Sequence, residues 1–215
     1  MRATDRLAML DSCAVSDALD RLGIDGAALG LRPMTVGRRI AGPVITVELG
    51  PADGPHSERH LGTAAVEAAT PGDIIVVAVG GRTDAAGWGG VLSEAATLRG
   101  VAGVIVDGAC RDIDDTRALD LPVYSRAGVP RTARGRIVEV SWNTPVDIAG
   151  IGVRPGDLVL ADGSGVVFVP AARADEVLAV ADEIAARERA MVDRVRAGEP
   201  VSRVMSRDYE RMTGS

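Results

Sequence analysis

The sequence contains no lysine, because all 24 of its basic residues are arginines. Enzymes that bind a carbonyl substrate as a Schiff base use a lysine amine for this purpose. A mechanism of that kind is therefore excluded. Carbonyl chemistry on this chain would have to stabilise negative charge with arginine or with a metal ion.

Cysteine and histidine are also scarce, with two residues of each. Cys13 and Cys110 are too few and too far apart for a disulfide framework or a cysteine-based zinc site, and a reducing cytoplasm is the simplest compartment. His56 and His60 lie four residues apart without an accompanying glutamate motif. Surface residues are therefore favoured over metal ligands for both.

Long apolar runs and an excess of positive charge are absent as well. No window approaches about 18 uninterrupted apolar residues and the N-terminus has no apolar signal core, so neither membrane insertion nor secretion is indicated. The net charge of -6 argues against a general nucleic-acid-binding protein, which would carry a basic face. A chain of 215 residues fits one large domain, or one domain with an extension, and with five aromatic residues its core is built from Val, Ile, Leu and Ala.

The spacing of apolar residues predicts a layered α/β domain with a central β-α-β unit, a β-rich half and a long C-terminal helix. Pro43, inside the first long strand, suggests an edge or a bend. Residues 162–165 are typical of a hairpin turn. Helices are predicted at residues 4–22, 58–69, 85–99, 114–119 and 172–197, and strands at residues 40–49, 74–77, 101–106, 121–124, 137–140, 146–148, 158–161 and 166–169.

Residues 80–113 form the stretch most typical of a ligand site. A glycine-rich turn, a helix and a buried strand follow one another, and Arg111 and Asp112 stand where that strand ends. Ligands of α/β proteins bind at the carboxyl ends of strands, and free N–H groups at a helix start favour an anion. Arg111 suits a carboxylate and Asp112 suits a divalent cation. The stretch therefore predicts a site for a small acid.

Each of these features also has a purely structural interpretation. The glycines fit a tight turn with close packing of helix on strand. Arg111 and Asp112 fit an exposed ion pair or the cap of the next helix. The turn is neither a Walker A loop nor a GxGxxG turn after a strand, so nucleotide binding is not favoured. Cys110 is expected to be a small packed residue, because no histidine lies nearby in sequence to activate it.

The C-terminal helix carries an acidic residue in an otherwise apolar seam. Spacings of four and three residues connect Val177, Ala181, Ile184, Glu188 and Met191. Either the seam drifts and Glu188 lies at its edge, or Glu188 faces another subunit and takes part in chemistry there.

Together, five segments resemble the RraA-like family, which includes the 4-hydroxy-4-methyl-2-oxoglutarate / 4-carboxy-4-hydroxy-2-oxoadipate aldolases and the regulator of ribonuclease activity A. The segments are CAVSDALDRLG, RPMTVGRRIAGPVITV, PGDIIVV, WGGVLSEAATLRGVAGVIVDGACRD and GVRPGDLVLADGSGVVFVP. The resemblance implies a swivelling β/β/α fold, ring-shaped trimers that sometimes pair into hexamers, and one domain over residues 1–198 followed by a tail, residues 199–215.

The resemblance further implies a class II aldolase that uses Mg²⁺ or Mn²⁺, releases pyruvate from 4-hydroxy-2-oxo acids and decarboxylates oxaloacetate. By the matching motif, Arg111 would bind the carboxylate and keto region of pyruvate. Asp112 would hold the metal, mostly through its water shell. The backbone N–H groups that would contact the substrate belong to Gly89, Gly90, Val91 and Leu92. Both reactions pass through an enolate, whose charge an arginine and a metal can stabilise without lysine.

One position departs from the family pattern. Well-characterised aldolases of this group tend to carry an acidic residue where this chain has Gly90, and that acid is thought to position the water that carries the proton. Glu188, ten residues before the glycine that ends the last helix, is similar to the acidic residue that these aldolases present from an adjacent subunit. Asp84, Glu188 or a metal-bound water are the candidates for the missing role.

The main hypothesis is thus a metal-dependent lyase that forms pyruvate from a 4-hydroxy-2-oxo dicarboxylic or tricarboxylic acid, or from oxaloacetate. The alternative is a non-catalytic protein that binds another protein, as the ribonuclease regulator does. Gly90 favours this alternative, whereas Arg111 and Asp112 count against it. A third hypothesis is a lyase or isomerase that acts on a different oxo acid through the same enolate.

Overall fold

The computed structural model describes residues 1–205 of the chain. Its helices are α1 (Ala3–Leu7), α2 (Ser12–Arg21), α3 (Thr63–Ala68), α4 (Gly90–Leu98), α5 (Ile113–Ala118), α6 (Ala174–Arg196) and α7 (Val201–Val204). Its strands are β1 (Ala27–Ala28), β2 (Arg32–Pro33), β3 (Ile40–Pro51), β4 (Ile74–Ala78), β5 (Ala86–Trp88), β6 (Gly103–Cys110), β7 (Val123–Gly128), β8 (Ile137–Trp142), β9 (Val146–Ile148), β10 (Ile151–Val153), β11 (Leu158–Ala161) and β12 (Val166–Val169).

Ten of the strands form one curled sheet, with the order β1-β12-β11-β3-β4-β6-β7-β2 and with β5 beside β6 and β8 beside β3. Strands β3, β4, β6 and β7 run parallel, and β11, β12, β1 and β8 join them antiparallel. The predicted α/β fold with a β-rich half and a long C-terminal helix is confirmed.

The central strand β3 has three partners along its length, and the last of them, β8, pairs with residues 47–51. Residues 40–43 pair with β11, and residues 44–48 pair with β4. The sequence predicts an edge or a bend at Pro43. Strand β3 lies inside the sheet, which excludes an edge strand, and the bend stays a prediction. A proline is accommodated there because the pairing with β4, on the other side of β3 from β11, begins only at Val44.

Strands β4 and β6 are buried along their whole length, as their continuous apolar sequences predict. One face of the sheet packs against α3 and α4, through a cluster that includes Val77, Val106 and Trp88. Farther along the sheet, α2 and α6 cover β11 and β12, with Leu19, Leu178 and Ile184 at the centre of that cluster.

Two predicted helices differ from the structure at their starts. The N-terminal helix of residues 4–22 is in fact α1 and α2, and α2 begins after Asp11, whose side chain accepts a hydrogen bond from the N–H of Ala14 at 2.8 Å. Asp11 is therefore the N-terminal cap of α2. The helix predicted to begin at Glu58 begins at Thr63, because residues 57–62 form an irregular segment.

Helix α4 starts at Gly90, five residues later than predicted, and residues 86–88 form β5 instead. The helical spacing of Trp88, Val91, Leu92, Ala95 and Leu98 predicts one apolar helical face, but of these only Leu92 and Ala95 lie on α4 and pack against the core. Trp88 belongs to the strand, and Val91 and Leu98 are 87% and 80% exposed, whereas Ser93 and Ala96 face the core.

The last long helix, α6, spans residues 174–196, close to the prediction. The predicted tail, residues 199–215, is described only to residue 205, and Val204 of α7 is buried against the rest of the chain. Residues 206–215 lie outside the described residues. No helix among residues 1–205 is long and apolar enough to span a membrane.

Candidate active site

Two adjacent parallel strands bring the predicted site residues to one edge of the sheet. Trp88 at the end of β5 pairs with Cys110 at the end of β6. Gly89 and Gly90 therefore leave the sheet beside Arg111 and Asp112. The carboxyl ends of parallel strands are the usual place for a ligand in α/β proteins. The structure thus brings together the glycine turn and the acid-base pair that the sequence places about twenty residues apart.

Asp112 makes a sharp turn between β6 and α5. Its backbone lies in the left-handed region, with φ 55° and ψ 41°, which aspartate tolerates better than most residues. It occupies the capping position of α5, yet its side chain makes no capping hydrogen bond. The carboxylate points instead to α4, where Oδ2 accepts a hydrogen bond from the N–H of Gly90 at 2.9 Å. The simple helix-cap interpretation is therefore excluded.

Arg111 and Asp112 form a contact that leaves part of each group available. Arg111 Nε lies 3.3 Å from Asp112 Oδ2, and both side chains are roughly one-third exposed, at 38% and 35%. Among residues 1–205, no donor binds Oδ1 of Asp112. One carboxylate oxygen is thus held by the protein and the other is open to water, to a cation or to a ligand.

The start of α4 offers further donors beside this pair. The N–H of Gly90 is used by Asp112, but within the described part of the chain nothing accepts from the N–H groups of Val91 and Leu92. A helix terminus with open N–H groups favours an anion. The glycine turn is also tight, since a Cβ atom at Gly89 would lie 3.0 Å from Asp112 Oδ2.

A buried hydrogen-bond network stabilises the glycine turn from the core side. Ser93, which is fully buried, donates to the carbonyl of Gly89 at 3.1 Å and accepts from the indole N–H of Trp88 at 2.9 Å. The hydroxyl of Thr116 also donates to Ser93 Oγ at 3.1 Å, and the N–H of Thr116 binds the carbonyl of Asp112 at 3.0 Å. One serine therefore connects β5, α4 and α5, the three elements that position the site.

These residues line a cleft of about 460 Å³. Part of its lining comes from segments of the chain that the sequence-based prediction did not include. These are Arg59, His60 and Leu61 before α3, and Arg134 in the loop before β8. Together with Arg111, three arginines face one acid, which suits an anionic ligand. His60 is exposed, as expected of a surface residue, but that surface is the rim of the cleft.

Two candidate proton carriers lie outside this cleft. Asp84 is exposed and bonded to Arg82 at 3.0 Å, and this bond lowers the pKa of Asp84, which makes it a poor base near neutral pH. Glu188 lines a separate apolar groove on α6 with Met191 and Val195. Burial, followed by the charges of Asp11 and Asp17, raises the pKa of Glu188. Within one protomer, Glu188 does not meet Arg111 and Asp112.

The donors present fit a hydrated hard cation. Among the described residues no cluster of three or more His, Cys, Asp or Glu side chains could hold a metal, so His56 and His60 do not build such a site there. Asp112 alone offers an open carboxylate oxygen in the cleft. Mg²⁺ commonly keeps several waters and binds through one or two carboxylates together with substrate oxygens, so a single aspartate is compatible with it.

Fold and site together define a mixed α/β protein with an arginine-lined cleft at the carboxyl edge of a parallel sheet. Comparison with known proteins identifies the family. The sequence profile described as "RraA-like: Aldolase/RraA" matches residues 12–168, and the chain belongs to this family.

Individual proteins with similar sequences or structures carry names from the same family. The chain is 36% identical over 200 residues to the "Putative 4-hydroxy-4-methyl-2-oxoglutarate aldolase" of Halalkalibacterium halodurans, covering 87% of this chain and 88% of that protein. It is 30% identical over 168 residues to Protein DlpA of Legionella pneumophila, covering 78% of this chain but only 27% of that longer protein. The crystal structure of Streptomyces coelicolor RraAS2, described as an unusual member of the RNase ES inhibitor RraA family, matches with a TM-score of 0.78 and 28% identity over 87% of this chain and 93% of that one.

Proposed function

We propose that this protein is a divalent-metal-dependent lyase that releases pyruvate from a 4-hydroxy-2-oxo acid of the 4-hydroxy-4-methyl-2-oxoglutarate type, and that it also decarboxylates oxaloacetate. The observation that carries the proposal is the cluster at the cleft floor. Arg111, an open oxygen of Asp112 and two unused N–H groups of α4 lie together there. The name of the relative from Halalkalibacterium halodurans supports the same substrate class.

The residues of the cleft suit the charge changes of this reaction. Cleavage removes the proton of the C4 hydroxyl, breaks the C3–C4 bond and leaves the electron pair on the enolate of pyruvate, whose C3 then takes up a proton. Arg111 would bind the carboxylate and the developing enolate oxygen. The open N–H groups of Val91 and Leu92 would orient the carboxylate at the helix start.

Asp112 is the residue that would hold the cation, through Oδ1 and through bound water. A Mg²⁺ or Mn²⁺ ion there supplies Lewis-acid stabilisation of the negative charge that develops on the substrate oxygen. Gly90 and Arg111 hold Oδ2 of the same carboxylate, so the open oxygen is presented in a defined direction.

The proton carrier would come from outside the cleft of a single protomer. Burial raises the pKa of the Glu188 carboxyl, a shift in the direction that favours a group able to both take up and release a proton. In a trimer, Glu188 of an adjacent subunit would supply the acid that Gly90 lacks.

The test is pyruvate release from oxaloacetate and from 4-hydroxy-4-methyl-2-oxoglutarate, with Mg²⁺ and with excess chelator. Asp112→Asn keeps the size of the side chain and removes its charge, and we expect it to lower kcat/KM at least about 100-fold, as for loss of a group that stabilises transition-state charge. Asp114→Asn, at an exposed acid on α5, is the matched control and should retain activity. The proposal fails if the wild-type protein shows no metal-dependent turnover of these acids.

A second function, regulation of a ribonuclease by direct binding, is favoured by Gly90 and by the likeness to RraAS2. Binding of a ribonuclease by the metal-free protein, unchanged in Asp112→Asn, would support it. Loss of that binding in Asp112→Asn would instead tie any regulatory role to the cleft.

A further inference from the structure

A fully buried glutamate on β8 holds the rim of the cleft. Glu139 has no exposed surface and lies on the inner side of its strand, next to the buried Ile137. A buried carboxylate is costly unless its oxygens are hydrogen-bonded, and both oxygens of Glu139 are. Oε2 accepts from the N–H of Gly62 at 2.7 Å, and Oε1 accepts from the hydroxyl of Ser57 at 3.3 Å.

These two bonds fix both ends of the irregular segment of residues 57–62. The backbone of Glu139 adds a third bond, because its carbonyl accepts from the N–H of Ser57 at 2.8 Å. Ser57 passes the connection onward, since its Oγ accepts from the N–H of Arg59 at 3.2 Å. Arg59 and His60, which line the cleft, therefore lie between the two points that Glu139 holds.

The far end of the segment is fixed by shape as well as by hydrogen bonding. Gly62 has φ 70°, a left-handed conformation that favours glycine, and a Cβ atom there would lie 3.3 Å from Cζ3 of Trp88. Its N–H needs an acceptor in a region where Leu61 and Trp88 are apolar and buried, and Glu139 supplies that acceptor. The carboxylate thus replaces the regular secondary structure that this segment lacks.

We propose that Glu139 is a positioning residue, which fixes residues 57–62 so that Arg59 faces the cleft and contributes to binding of an anionic oxo-acid substrate. The inference rests on the proposed function for its kinetic part only. Glu139 does not line the cleft, because its side chain binds Ser57 and Gly62. Its effect is therefore expected on substrate binding more than on the chemical step.

Glu139→Ala removes both acceptors, whereas Glu139→Gln keeps the shape, one accepting oxygen for Gly62 and an amide that can donate to Ser57 Oγ. We expect Glu139→Ala to raise KM for oxaloacetate about tenfold, the factor that corresponds to about 1.4 kcal/mol, with kcat within about twofold of wild type. Glu139→Gln should restore most of the wild-type KM. If Glu139→Ala does not fold, Ser57→Ala removes the hydroxyl that binds Glu139 Oε1 and the N–H of Arg59 but keeps the backbone bond to Glu139 and the bond of Gly62, so it should raise KM by a smaller factor.

A second readout does not depend on catalysis. Trypsin cleaves after arginine, and cleavage between Arg59 and His60, followed by mass spectrometry, reports how firmly the segment is held. Glu139→Ala should be cut there faster than wild type. The matched control is Asp157→Asn, because Asp157 is another buried carboxylate that binds two backbone N–H groups, those of Arg154 at 2.7 Å and Ala171 at 2.9 Å, away from the cleft.

The control should keep both the KM and the slow cleavage at Arg59. The proposal is overturned if folded Glu139→Ala, or Ser57→Ala in its place, leaves KM and cleavage unchanged, or if Asp157→Asn changes them equally. If the wild-type protein has no lyase activity, the faster cleavage at Arg59 still supports the positioning of the segment, and only the proposed function is lost.

Discussion

Replacing Ser93 with alanine should destabilise the site from below, because this one hydroxyl joins the glycine turn to two helices. The indole N–H of Trp88 can only donate, and alanine leaves it buried without an acceptor. An unsatisfied buried donor costs about 1–3 kcal/mol. The Gly89 carbonyl keeps its bond from the N–H of Ser93 at 3.0 Å, so its loss is smaller. We expect a decrease in unfolding free energy of about 2 kcal/mol, or about 4–8 °C in Tm.

Denaturant unfolding of a double-mutant cycle tests the origin of this loss. Trp88→Phe removes the donor, so Ser93→Ala should cost less in that background, with a coupling energy of about 1 kcal/mol or more. Thr97→Val is the control on the same helix, where the hydroxyl only donates to the Ser93 carbonyl at 2.8 Å. It should cost no more than about 1 kcal/mol. If the losses of unfolding free energy in the cycle are strictly additive, the loss in Ser93→Ala does not come from the unpaired indole N–H of Trp88.

Three further predictions concern single positions around the site. Gly62→Ala should lower the free energy of unfolding by about 1 kcal/mol more than the control Gly23→Ala, because both residues have a left-handed backbone but only Gly62 lies close to Trp88. Equal losses in denaturant unfolding would show that the contact with Trp88 does not affect stability. Gly90→Asp should raise kcat for pyruvate release about tenfold, because it restores an acid that can transfer the proton, whereas Gly90→Asn, of the same size, should not. Equal kcat values for the two variants in a pyruvate assay would show that an acid at residue 90 does not transfer the proton. Because the pKa of Glu188 is raised in the folded protein, its charged form lowers stability above that pKa, and this loss disappears as the pH falls through it. Glu188→Gln should therefore raise Tm more at pH 7 than at pH 4, measured by scanning calorimetry at fixed protein concentration. An equal gain in Tm at both pH values would contradict this sign.

The elements of the parallel sheet could be predicted from the sequence because their signal is local. Short continuous apolar runs, such as residues 74–77 and 103–106, are typical of strands that are buried on both faces of a parallel sheet. Their order along the chain then places Arg111 at the carboxyl edge. Residues 89–92 are added to the site by the resemblance to the RraA-like family, and in the structure they line the same cleft as Asp112.

The start of α4 could not be predicted in the same way. Trp88 lies at helical spacing from Leu92 and Ala95, so periodicity alone extends the helix backwards through the glycines. Pairing of residues 86–88 with β6 overrides that pattern. The ladder with β6 depends on a strand that is distant in sequence, which a local pattern does not reveal.

Part of the cleft lining was missed for a related reason. Arg59 and Arg134 are 52 and 23 residues from Arg111 and stand in irregular segments. No periodic pattern marks them, and the bonds from Glu139 that hold the segment of residues 57–62 cross 77 and 82 positions of the chain. A buried glutamate on a strand was the one available signal, because such a residue requires partners.

The central claim is that Asp112 and Arg111 together bind a divalent cation and a pyruvate-like acid. A crystal structure of the protein with Mg²⁺ and pyruvate tests it most directly. The account predicts an ion beside Oδ1 of Asp112, with the pyruvate carboxylate at Arg111 and at the N–H groups of residues 91–92. An ion and pyruvate bound elsewhere, with Asp112 and Arg111 contacting neither, would contradict it.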